Sequence, residues 1–223
     1  MNSTWTTPFA RRLAWLAAML TVWAAHDACA QTAPTKALTI IVPYSAGGST
    51  DVLARIVGHK YSEIAGQPVV IGNRAGGGGA VGAVAAKNAA PDGTTLLVAN
   101  PAIIAVNPIL TRNLPYDPVR DFTPVQLMYN AVHFLYVPAG SAAASMGDLV
   151  DLARRKPGGL SYASQGLGST GQLGGVMLQA LSGAPFVHVP YKGAAPGMLD
   201  VAAGRVDLFF SIHATGGPHV RNG

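Results

Sequence analysis

Several loops of small residues carry the residues best placed for chemistry. Ser45-Ala46-Gly47-Gly48-Ser49-Thr50 lies between an apolar run that stops at Pro43 and a stretch with helical spacing from Asp51. A helix start presents unpaired backbone N–H groups and a partial positive charge. Glycines let a ligand approach the backbone closely, and hydroxyls add directional donors. That combination suits an anion, most simply a carboxylate. The same residues also make a glycine-rich turn with Ser49 or Thr50 as an ordinary cap, and both readings stand. Gln165-Gly166-Leu167-Gly168-Ser169-Thr170-Gly171 repeats the arrangement. Ser169 and Thr170 serve there either as N-caps or as a second anion grip facing the first across a cleft.

Other chemistries find less support. Asn73–Gly82 contains G-x-G-x-x-G as Gly77, Gly79 and Gly82. The acidic residue that a dinucleotide site wants some twenty positions later is absent. The loop reads as a helix start lining the same cleft, or as a flexible connector. No phosphate loop of the G-x-x-x-x-G-K-[ST] type is present. His59, His133, His188, His213 and His219 are scattered, without H-E-x-x-H or carboxylates at ligand spacing, so no metal and no cofactor are expected. Lys192 reads as a solvated lysine and Asp207 as a structural acid. An α/β hydrolase would need a Ser–His–acid arrangement, for which Ser169 with His188 is the best pair.

The elements that must position these loops alternate. Strands are expected at Leu38–Val42, Val69–Ile71, Thr95–Ala99, Val125–Tyr129, Phe134–Val137, Leu160–Ala163, Phe186–Val189 and Val206–Phe210. Helices are expected at Asp51–Ile64, with Leu53, Ile56, Val57, Lys60 and Ile64 on one face, and at Ala80–Lys87. Three more fall between Ser145 and Lys156, between Thr170 and Leu181, and at Ala195–Ala203. Alternation of this kind argues for an α/β architecture with largely parallel sheets. Val42-Pro43-Tyr44 and Val189-Pro190-Tyr191 both end strands and lead through small residues into helices. In open α/β sheets that carboxyl edge is where ligands bind. Residues 31–138 are expected to form one lobe and 139–223 another, joined near Pro138–Ala144.

Arg11 and Arg12 precede an apolar stretch from Leu13 to Ala25, and Ala28-Cys29-Ala30 follows. This reads as a secretory signal peptide cleaved after Ala30. The only cysteine leaves with it, which suits a bacterial periplasm and excludes disulfides and thiolate chemistry. The formal net charge is +5, but no basic run exceeds Arg154-Arg155-Lys156, so nucleic acid is not an expected partner.

Taken in order, IVPYSAGGSTDVLAR (Ile41–Arg55), VVIGNRAGGGGAVG (Val69–Gly82), LPYDPVRDFTP (Leu114–Pro124), GLGST (Gly166–Thr170) and VPYKGAAPGMLDVAAGRVD (Val189–Asp207) resemble a known family. It is the Bug-type periplasmic solute receptors of tripartite tricarboxylate transporters. The resemblance implies a type II periplasmic-binding-protein fold with two lobes closing on a ligand, and no enzymatic activity. It implies capture of a small organic carboxylate for the membrane components of such a transporter, by a monomer. It assigns ligand contact to Ser45, Gly47, Gly48, Thr50, Gly168, Ser169 and Thr170, with Asp51 ordering the first loop. Gln172-Leu173 stands where the family often has His-Leu, and Asn100–Ile104 where it is often rich in Ser or Thr. The resemblance also implies a domain's worth of residues beyond Gly223, so the chain reads as C-terminally truncated, and a non-binding remnant is the alternative.

Overall fold

A computed structural model describes residues 36–222. The expected signal peptide and its cleavage point lie outside them. Two sheets organise the described residues. The first is a parallel sheet of three strands in the order β2-β1-β3, with β1 at Leu38–Val42, β2 at Val69–Asn73 and β3 at Thr95–Leu97. The second has four strands in the order β4-β7-β5-β6. These are β4 (His133–Tyr136), β5 (Leu160–Ser164), β6 (Phe186–Pro190) and β7 (Leu208–Ile212). β4 runs antiparallel to β7, and the remaining pairs are parallel. Leu38, Ile40, Ile41 and Val42 of β1 are all buried, as expected for a strand covered on both faces.

Among the described residues, seven α-helices lie between or after the strands: α1 (Ser49–Ala65), α2 (Ala80–Lys87), α3 (Asn107–Leu110), α4 (Met146–Arg155), α5 (Thr170–Ser182), α6 (Ala194–Ala202) and α7 (His213–Arg221). α4 shows how a local signal sets an element. The Ser145 hydroxyl accepts from the Asp148 N–H, and the Asp148 carboxylate accepts from the Ala144 N–H and the Ser145 hydroxyl. Arg154 and Arg155 favour its carboxyl end.

Four expectations from the sequence change here. The face of α1 carrying Ile56, Val57 and Ile64 points outward, with Ile56 60% and Ile64 77% exposed. The inward positions are Ala54 and Gly58. A Cβ at Gly58 would stand 3.0 Å from Val69 Cγ1, so only a small side chain lets the helix lie this close to the sheet. Val125–Tyr129 forms no strand, because no neighbouring strand pairs with it. Val125 and Leu127 stay exposed, and Met128 packs against the core of the first sheet. Ala102–Val106 winds as a π-helical turn into α3, where the sequence reads as loop. Finally β4, within residues 31–138, is bonded into the second sheet, where Leu135 and Tyr136 find their apolar neighbours.

Candidate functional site

The carboxyl ends of β1 and β5 release the two loops that the sequence singles out. The first approaches the loop after β6: Ser45 N–H donates to Lys192 C=O at 3.0 Å. Gly193 (φ +153°) is what permits this contact, since a Cβ there would stand 2.2 Å from Ser45 Oγ. The Ser45 hydroxyl oxygen is buried beside it without a hydrogen-bond partner. The second loop meets the glycine-rich loop after β2. A Cβ on Gly78 would lie 2.4 Å from the Leu167 carbonyl oxygen.

α1 begins at Gly48, which cannot offer a side-chain acceptor. Its Ser49 N–H donates to Thr215 Oγ1 at 3.1 Å, so α7 reaches across to this helix start. Gly48 is buried, Thr50 is half-buried, and Gly47 is exposed. Asp51 is the organiser of the loop. Its carboxylate accepts from Gly47 N–H (2.9 Å), Arg55 Nε (3.0 Å) and Asn73 Nδ2 (3.0 Å), while Asn73 also donates to the Tyr44 carbonyl. Burial alone would raise the Asp51 pKa. The bonds from Arg55, Gly47 and Asn73 outweigh it and hold the carboxyl below its ordinary value. α6 starts beside the same loop, with Gly193 as its cap and no side-chain acceptor either. A Cβ on Gly48 would lie 3.5 Å from Ala194 N. Two helix starts without side-chain caps thus abut.

α5 differs. Its Ser169 cap is buried, and Ser169 Oγ accepts from Gln172 N–H at 3.3 Å. Gln165 Oε1 takes the Gly171 N–H, and Gln172 Oε1 takes the Gly168 N–H at 2.6 Å. Thr170 Oγ1 bonds His133 Nε2 at 2.8 Å. The chain's own side chains therefore satisfy much of this helix start, while at α1 Thr215 takes the Ser49 N–H and the Thr50 N–H is left for another acceptor.

The hydrolase arrangement does not form. His188 Nε2 meets Ser164 Oγ at 2.6 Å instead of Ser169, and its ring stacks on Tyr162 with centroids 4.9 Å apart. Ser164 is fully buried and also bonds Gly166. Burial lowers the His188 pKa, favouring a neutral ring. Asp207 accepts from Ser161 N–H, Ser161 Oγ and Lys156 Nζ, a structural knot far from the helix starts. It borders a groove of about 770 Å³ that Leu149, Arg155 and Leu160 also line. Among the described residues no three His, Cys, Asp or Glu side chains gather as a metal site, and no helix is long and apolar enough to cross a membrane.

A family model described as the tripartite tricarboxylate transporter family receptor matches residues 53–223. The chain belongs to that receptor family. Its family is one of solute-binding receptors, not enzymes. BugT of Bordetella pertussis is 34% identical over 195 residues, covering 87% of this chain and 60% of that protein. Two solved structures share the mixed α/β fold. Rhodopseudomonas palustris Rpa4515 with adipate is 37% identical at a TM-score of 0.82, and MatC of that species with bound malate is 28% identical at 0.79. Each match covers 85% of this chain, and 63% and 64% of the two receptors. The receptor family is thus matched over a shorter length: the chain spans about half to just under two thirds of its curated relatives.

In this receptor the structure brings Ser45, Gly47, Gly48, Thr50 and Asp51 together at one helix start, and Gly168, Ser169 and Thr170 at another. Sequence reading missed Asn73, Arg55, Gln165, Gln172 and Thr215. Arg55 had a signal, being one helical turn after Asp51. Thr215 had none, because its partner Ser49 is 166 residues away.

Proposed function

We propose that this receptor captures a small organic carboxylate at the start of α1. The observation that carries the reading is a 17-residue helix whose cap, Gly48, supplies no acceptor, beside the buried and unpartnered Ser45 hydroxyl. A carboxylate there receives the α1 amide at Thr50, while Gly47 and Gly48, whose own amides bond Asp51 and the Ser45 carbonyl, let it approach the backbone closely. Ser45 adds a hydroxyl, and Asp51 holds the loop without touching the ligand. Gly168, Ser169 and Thr170 complete the site from the second sheet, and a ligand that draws on Thr170 competes with His133. Adipate and malate, held by two structural relatives, support the reading of the ligand as a small organic acid. The receptor works as a monomer in the periplasm, in a two-lobed arrangement with residues 31–138 mostly in one lobe and 139–223 in the other. It delivers its ligand to the membrane components of a tripartite tricarboxylate transporter.

Thermal unfolding with a panel of mono-, di- and tricarboxylates tests this. A ligand at a hundred times its Kd adds about 2.7 kcal/mol of stability, a rise of roughly 5–10 °C in Tm for a chain of this size. A cooperative transition that no acid shifts would refute carboxylate capture. Absence of any cooperative transition would favour the non-binding remnant.

A further inference from the structure

The hydroxyl of Thr170 is tied to a histidine, and the surroundings of that histidine carry no charge. His133 opens β4 and lies opposite Ile212, at the carboxyl end of β7. Its Nε2 meets Thr170 Oγ1 at 2.8 Å, at the first residue of α5. No Asp, Glu, Lys or Arg occurs on β4, β7, α5 or in residues 165–169. Among the described residues the one histidine paired with a carboxylate is His59, with Glu63. Other ionisable groups of the neighbourhood are turned elsewhere. Arg55 is engaged by Asp51, His188 bonds Ser164, and Lys192 belongs to the loop beside Ser45. His213 follows Ile212, and its ring packs edge-on against Phe134 with centroids 5.9 Å apart. Strand alternation sets Phe134 and Tyr136 on the face of β4 opposite His133, so His213 lies on that other face too. An anion held by Thr170 therefore has His133 as its one source of side-chain positive charge from these elements.

We propose that His133 sets the preference of this receptor for diacids, by taking up a proton from solvent when a second carboxylate reaches Thr170. This rests on the reading of the α1 start as the seat of the first carboxylate. The hydroxyl hydrogen of Thr170 serves one acceptor at a time. A neutral ring that accepts it leaves none for a ligand. A protonated ring donates to Thr170 Oγ1 instead, so the hydroxyl hydrogen turns to the carboxylate with a positive charge behind it. Partial burial lowers the His133 pKa, which favours the neutral ring in the empty protein. A carboxylate beside it raises that pKa. Between the two values, diacid binding takes up a proton, and diacid affinity rises as pH falls. A monoacid seated at α1 alone leaves His133 unchanged.

Titration calorimetry in buffers of different ionisation enthalpy tests this. The probes are adipate and malate, against hexanoate and butyrate, which keep the chain lengths and carry one carboxyl. Titrations run at about pH 6.5 and about pH 8, where both carboxyls of the diacids are ionised. The better diacid should bind at least about threefold tighter at the lower pH, with proton uptake, and the monoacids should show neither effect. His133→Gln, which keeps a neutral hydrogen-bonding group at this position, should abolish the uptake and flatten the pH dependence. His213→Gln should preserve both. Three results would overturn the inference and leave carboxylate capture standing: a diacid that binds without uptake, uptake that survives in His133→Gln, or equal uptake with the monoacids. Binding of none of the four acids would count against carboxylate capture, and this inference would fall with it.

Discussion

At Gly48 a missing side chain does the work. Aspartate placed there would supply the acceptor that α1 lacks, and its backbone (φ −75°, ψ 165°) already suits an N-cap. Gly48→Asp should leave the empty protein as stable or stabilise it by up to about 0.5 kcal/mol. It should also weaken carboxylate binding by at least tenfold, about 1.4 kcal/mol, measured by titration calorimetry with the best acid of the panel. Asp51 makes the opposite case, since its carboxylate is already fully engaged. Its folded pKa lies below the unfolded value, so its contribution is fully present above the unfolded pKa of about 3.9. That contribution fades as pH falls through the lower folded value. Asp51→Asn should cost about 1–3 kcal/mol at pH 7, and the gap from the parent should close in urea melts run toward pH 3. Residue types and spacing made the α1 start readable in advance, because Ser, Gly and Asp have local reasons to sit there. The side-chain closure of α5 was not readable. Whether Gln165 and Gln172 reach backbone N–H groups depends on loop geometry that composition does not encode.

The helices invert a familiar pattern at the scale of elements. α5 turns Gly171 and Gly175 inward and leaves Val176, Met177 and Leu181 exposed, just as α1 turns Ala54 and Gly58 inward. A Cβ at Gly175 would stand 2.2 Å from the Tyr162 ring. Gly175→Ala should therefore destabilise by about 1–3 kcal/mol despite alanine's better helix propensity. Val176→Ala on the outer face should change stability by less than about 0.5 kcal/mol. Denaturant unfolding of the two variants side by side decides this. It also explains what the sequence concealed. Periodicity located the helices, but the rule that large apolar residues face inward fails where the contact is backbone-close. Strand assignment failed at Val125–Tyr129 for a related reason, since a strand exists only with a partner and the partner is not in its own sequence.

Over the described residues, the two sheets meet through loops and helix starts. Ser49 N–H to Thr215 Oγ1 is one such bond, buried at both ends. Thr215→Val keeps the shape and removes the acceptor, leaving a buried N–H unpaired at a cost of about 1–3 kcal/mol. Thermal melts should show that loss, and ligand affinity should fall although Thr215 is outside the proposed contact set. A receptor in which Thr215 matters only for folding would lose stability and keep its affinity. The alternation of strands and helices was enough to read the α/β class. Which loops touch was not, because such contacts join residues far apart in the chain.

The bond from Ser45 N–H to the Lys192 carbonyl joins main chain to main chain. It does not depend on the Lys192 side chain, which is exposed. Gly193, whose bareness the contact requires, is the fixed point, with Ser45 packed against it. Exchange of the Lys192 side chain would then leave the junction between the loops in place.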